Sequence, residues 1–137
     1  MQLLQELCQI HAPSGNEVLM KEFLLDYVTQ HASKWQVQPE VIHGPDWQDC
    51  LMLVFGKPRT AIFAHMDSIG YTVRYDNHLV PIGGPHHQTG YALVGNDKNG
   101  PIACNLVYDD ETNYLVCDAM NTLERGAELV FKCDFRE

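Results

Sequence analysis

Apolar residues recur at helical spacing in the first third of the chain. Leu3, Leu4, Leu7, Cys8 and Ile10 predict a short amphipathic helix from about Gln2 to His11, which Pro13 and Gly15 end. Ser14 and Glu17 then have the Ser-x-x-Glu spacing of a capping box. Behind them, Val18, Met20, Phe23, Leu24, Tyr27 and Val28 form one stripe, so a second helix runs to about Ala32. From Trp35 the period changes to short runs of strand formers, broken by Pro, Gly and Asp: Val37 to Ile42, Cys50 to Phe55 and Thr60 to Ala64. The last two runs are apolar throughout rather than alternating, as in strands covered on both faces by helices. Two helices followed by buried strands point to an α/β layer.

After Gly70 the texture shifts. Strand candidates lie at Tyr71 to Tyr75, Leu79 to Ile82, Tyr91 to Val94, Ile102 to Tyr108, Tyr114 to Cys117 and Leu129 to Phe135. Polar turns separate them at Asp76-Asn77, at Asn96 to Gly100 and at Asp109 to Asn113, and a helical turn is expected near Thr122 to Arg125. Six short strands without a strong helix describe a small β-barrel or sandwich. The chain therefore divides into residues 1–70, part of an α/β core, and residues 71–137, a β-rich unit.

Composition narrows the function. Nine basic against eighteen acidic residues give a formal charge of −9, and the basic residues are scattered from Lys21 to Arg136. A nucleic-acid or anionic-membrane partner needs a clustered basic face and is disfavoured. The five cysteines include no CxxC pair and several sit in apolar runs, which fits a reduced, cytoplasmic protein. Neither a signal peptide nor an apolar run of the ~20 residues needed for a spanning helix is legible.

The most informative stretch is Thr60-Ala61-Ile62-Phe63-Ala64-His65-Met66-Asp67-Ser68-Ile69-Gly70. An apolar strand here delivers His65 and Asp67 at its carboxyl end, where ligands gather in open α/β sheets. In extended geometry residues two apart point to one side, so the pair can share a site. Neutral imidazole is a good ligand for zinc or cobalt, and a nearby carboxylate can orient it. On spacing alone a strand followed by a polar turn, with His65 simply hydrogen-bonded, remains open. His78, His86 and His87 are read mainly as loop residues, with a small-ligand site as the alternative. Asp109-Asp110-Glu111 lacks the spacing of a calcium loop and is read as a solvated turn.

Ala64-His65-Met66-Asp67-Ser68-Ile69-Gly70, followed by Pro81-Ile82-Gly83-Gly84, resembles the His-Met-Asp-Glu-Ile-Gly segment and later Ile-Gly-Gly of the tetrahedral-type dimetal aminopeptidases, which include glutamyl, leucyl and deblocking enzymes. Leu3 to Leu7 with Ala12-Pro13-Ser14-Gly15-Asn16-Glu17 resembles the same family's N-terminal helix and Ser-Gly-x-Glu turn. The resemblance implies a phosphorylase/hydrolase-like α/β core interrupted by an inserted β-rich domain that mediates homo-oligomer contacts. It further implies a cytoplasmic metalloaminopeptidase that removes N-terminal residues from peptide substrates with two divalent ions, zinc or cobalt. By that match His65 is a metal ligand and Asp67 the catalytic-site acid that positions it. Two features depart from the family pattern: Ser68 stands where the family has Glu, and Asp49 is all that corresponds to its Asp-x-x-Gly-Asn segment. The bridging Asp, the paired Glu residues and the other ligands of such sites follow the inserted domain, so at most one metal ligand lies in these 137 residues. Without them catalysis is not expected of this chain alone, and the reading of a different class is a non-catalytic homodimerisation module built on the β-rich unit.

Overall fold

The computed structural model describes residues 2–134. Helix α1 covers Gln2–Cys8 and α2 covers Val18–His31, with a 3-10 turn at Ala32–Lys34. Strands β1 (Glu40–Ile42) and β2 (Met52–Val54) pair antiparallel, Val41 opposite Leu53. They form a two-stranded ribbon of their own. Lys21 ties α2 to the turn before β2 through the Gln48 carbonyl, 2.8 Å from its Nζ, and the Asp49 carboxylate at 3.2 Å.

Six further strands follow: β3 (Gly70–Val73), β4 (Leu79–Ile82), β5 (Ala92–Asp97), β6 (Gly100–Asp109), β7 (Tyr114–Cys117) and β8 (Glu128–Phe131). All their pairings are antiparallel, in the order β4-β3-β8-β5-β6-β7. The two end strands meet where His78, just before β4, bridges to Val116 in β7, so the sheet curls into a nearly closed barrel. Along β6, Ile102, Cys104 and Leu106 are buried, with exposed residues between them; this is the period-2 pattern of a sheet with one face inside. Tyr71, Val73, Leu93, Leu106 and Leu129 are fully or almost fully buried in a single core drawn entirely from this half of the chain. Burying such an aliphatic side chain contributes about 1.5–3 kcal/mol. Two glycines let β8 lie close to its neighbours: a Cβ at Gly70 would stand 2.3 Å from the Leu129 carbonyl oxygen, and one at Gly95 2.2 Å from that of Glu128.

All six strands expected after Gly70 are present, within the described residues; the end of the last, at Phe135, lies outside them. The helical turn expected at Thr122 to Arg125 is not helical. Its N–H groups are taken by distant side chains instead: that of Leu123 donates to Asn77 Oδ1 (2.8 Å) and that of Glu124 to Asp97 Oδ2 (3.2 Å).

The first half departs further from expectation. The run Thr60 to Ala64, expected as a buried strand, forms no strand and joins no sheet among the described residues, and Ile62 and Phe63 are 93% and 91% exposed. Nor is β2 covered on both faces, since Met52 and neighbouring Phe55 stand exposed. A strand persists only where a neighbour takes its backbone N–H and C=O groups, and β1 and β2 are already paired with each other. Among the described residues no helix is long and apolar enough to cross a membrane.

Candidate functional site

The three stretches that carried the resemblance meet at one place, where the first half of the chain joins the barrel. Residues 12–14 run alongside residues 67–68: Pro13 and Ser68 form a parallel bridge, and the Ser68 N–H donates to the Ala12 carbonyl at 2.6 Å. Ala12 is fully buried under this contact. Gly83, at φ +72°, closes the cluster from the β4 side; a Cβ there would lie 3.0 Å from Ile69 Cγ2 and 3.2 Å from Ser14 Oγ. Both the left-handed backbone and the lack of space call for glycine. On the other flank Asn16 Nδ2 donates to Glu128 Oε2 at 2.9 Å, fastening the same loop to the start of β8.

Within the cluster Asp67 has two partners. The Ser14 hydroxyl donates to Oδ2, and the His65 ring Nδ1 lies 3.2 Å from Oδ1 and 3.0 Å from the Asp67 backbone carbonyl. Both of those atoms are acceptors when the carboxylate is ionised, so Nδ1 carries the hydrogen and neutral His65 presents Nε2 as a bare lone pair. The Ser14 hydroxyl, then the Asp67 backbone N–H and the His65 ring, hold the Asp67 carboxyl below its ordinary value against the opposing effect of burial. The carboxylate is therefore ionised throughout the neutral range. His65 itself stands 84% exposed on its side chain, open to solvent on the Nε2 side.

This arrangement corrects one local expectation. Ser14 does not cap α2: the helix starts only at Val18, and neither Ser14 nor any other side chain caps its first turn. Nor does Glu17 reach back to the Ser14 N–H as a capping box requires; its Oε1 accepts the Gly15 N–H at 2.8 Å. The Ser14 hydroxyl goes to Asp67 instead, because the bridge between Pro13 and Ser68 brings the two chains side by side. A Ser-x-x-Glu spacing signals a helix start, and nothing local in it reveals a partner 53 residues away.

A divalent ion finds one fitting donor here, His65 Nε2, with its other ring nitrogen already fixed as metal-binding histidines require. Among the described residues no group of three or more His, Cys, Asp or Glu side chains stands close enough to hold a metal. Of the other candidate histidines, His78 and His87 are engaged elsewhere. His78 meets Tyr114 edge-on at 4.5 Å between rings and Tyr75 at 5.3 Å. His87 Nδ1 lies 3.0 Å from the hydroxyl of Tyr71, whose pKa burial pushes up to about 12. Asp109 spends its carboxylate on its own turn, accepting from the Glu111 N–H (3.0 Å) and the Thr112 hydroxyl (2.8 Å). No protein-family model matches the chain, and no curated protein matches it.

Proposed function

We propose that the chain is the N-terminal part of a phosphorylase/hydrolase-like catalytic core, together with an inserted β-barrel domain, of a dimetal aminopeptidase acting on peptide N-termini. The observation that carries this reading is the convergence of Ser14, His65-Asp67 and Gly83, from three separated stretches, on one cluster with His65 Nε2 left free. Three motifs chosen for their likeness to one family had no need to touch if the likeness were accidental. In this reading His65 holds one of two zinc or cobalt ions and Asp67 positions it. Bound divalent ions supply polarisation of the scissile carbonyl and a lowered pKa for water. The bare flanks of Thr60 to Ala64 fit the same reading, since a core strand entering such a site is covered on both faces and both edges.

The test is hydrolysis of aminoacyl-nitroanilides by the protein expressed with whatever follows Glu137 in its reading frame, with zinc or cobalt added. Metal-dependent turnover that His65→Ala abolishes supports the reading; turnover that survives this substitution, or its absence in the parent, removes it. The 137 residues alone should give none. The competing reading, a homodimerisation module, rests on the incomplete metal site and on the unpaired edges that short strands offer. The bridge between His78 and Val116 narrows the open edge of the barrel, and the oligomeric state in solution, by light scattering, tests this reading: a strict monomer at high concentration removes it.

A further inference from the structure

Ser14 spends its hydrogen bond far away in sequence, on the carboxylate that lies against His65. A carboxylate held only by the ring it orients is free to rotate about its terminal bond, which is broad and roughly two-fold, and to let the imidazole turn with it. Here the two oxygens have separate duties. Oδ2 is clamped by the Ser14 hydroxyl, and Oδ1 is left facing His65 Nδ1 at 3.2 Å, beside the Asp67 backbone carbonyl at 3.0 Å. Ser14 is in turn held by the bridge of Pro13 to Ser68 and by the tight approach of Gly83.

We infer that Ser14 is a positioning residue: by fixing the plane of the Asp67 carboxylate it adds a second acceptor beside the Asp67 carbonyl, and the two together lock His65 in the tautomer that protonates Nδ1 and frees Nε2. The inference rests on the functional reading only for its purpose, which is to present a ligating nitrogen. The state it describes belongs to the chain itself. A neutral histidine in water mixes both tautomers, and an acceptor at Nδ1 is what selects one. Outer partners of this kind fix the tautomer and orientation of metal-binding histidines, and they matter nearly as much as the ligands. Sequence periodicity assigns Ser14 to helix capping, which explains why this role is invisible without the fold.

The experiment is long-range nitrogen–proton correlation NMR on the 137-residue chain labelled at histidine, at a pH where the ring is neutral and with no metal present. In the parent, His65 shows protonated Nδ1 and unprotonated Nε2. Ser14→Ala moves both nitrogens toward averaged positions, the signature of mixed tautomers, and Ser14→Thr, which keeps the hydroxyl, restores the parent spectrum. Gly83→Ala, whose Cβ would press on Ser14 Oγ, moves the spectrum in the same direction as Ser14→Ala. The amide signals of buried Leu106 and Leu129 report in the same sample that the protein is folded. An unchanged His65 spectrum in Ser14→Ala overturns the inference, and so does failure of Ser14→Thr to restore it in a folded protein. Neither readout involves turnover, so loss of the aminopeptidase reading and loss of this one are separate results.

Discussion

The two halves of the chain contain similar amounts of apolar sequence but use it differently. In the barrel, apolar residues alternate with polar ones, and the sheet curls until each inward side chain meets another; Leu93, Leu106 and Leu129 are almost completely shielded. In residues 2–69 the helical stripes and the continuous runs after them are left largely bare: Leu4 is 60% exposed, Leu19 55%, and Ile62 and Phe63 more than 90%. Only Ala12, Met20 and Val28 are buried hydrophobics in that half. Alternation describes a strand that needs one covered face, which a closed sheet provides for itself. A continuous run describes a strand that needs two, and eight short strands with two helices do not provide them. The first half thus leaves bare the kind of apolar side chain that the curled sheet of the second half covers for itself.

The largest test of this contrast is to separate the halves. Residues 70–134 contain a complete core and should unfold cooperatively on their own, with a sigmoidal urea transition and dispersed amide spectrum. Residues 2–69 should show neither. A cooperative transition in the shorter piece would show that its apolar faces find partners within it. At the level of single residues, Leu106→Ala should cost about 2–5 kcal/mol by urea unfolding, the usual range for an aliphatic truncation in a packed core. Gly95→Ala should cost up to about 3 kcal/mol, because its Cβ would meet backbone that cannot yield. By contrast Ile62→Asp should change stability by no more than about 0.5 kcal/mol, as for any exposed site. A loss above 1 kcal/mol at Ile62, on the scale of a buried contact, would mean that this segment is packed.

How much of this was legible follows the same division. All six barrel strands were readable because alternation and turn residues are local signals, and the Asp76-Asn77 turn takes the left-handed backbone that Asn and Asp tolerate, at φ 53° and 57°. Thr60 to Ala64 was read as a buried strand and is neither paired nor buried, since both depend on neighbours the sequence of the run does not specify. At the site, the spacing of His65 and Asp67 foretold their contact, because residues two apart in extended chain share a side. Ser14 and Gly83 were legible only as parts of a resemblance. Their meeting is a long-range event, and Ser14 carried a stronger local signal for capping that misdirected its assignment.

A smaller effect reads the two halves through their cysteines. Cys8 and Cys50 are exposed, whereas Cys104 and Cys117 are buried in the barrel core. Treated with iodoacetamide in the native state and followed by mass, Cys8 and Cys50 should react first. Cys133 is also exposed, but burial of its sulfur pushes its thiol up, so it should follow more slowly. Cys104 and Cys117 should react only when the barrel opens; the hydrogen bond that the Cys104 thiol donates to Cys117, and then its burial, push the Cys104 thiol up. Early labelling of Cys104 would contradict the closure of the barrel.

The smallest effect concerns acid. Asp118 extends the pairing of β6 and β7 past the end of the strand: its Oδ2 accepts from Asn105 Nδ2 at 2.9 Å and its Oδ1 from the Asn105 N–H at 2.6 Å. Those bonds, the side-chain one foremost, hold its carboxyl below the ordinary 3.8. A carboxyl whose folded pKa lies below its unfolded value contributes stability that is fully present above the unfolded value and lost as pH falls through the folded one. Asp118 is almost fully solvated, so screening keeps the contribution under about 1 kcal/mol. Asp118→Asn should therefore lower the urea midpoint slightly at pH 7, and the gap to the parent should close as the pH falls below about 4. A gap that stays constant down to pH 2 would mean that shape rather than charge makes this contact, and that the barrel's rim resists acid without its carboxylates.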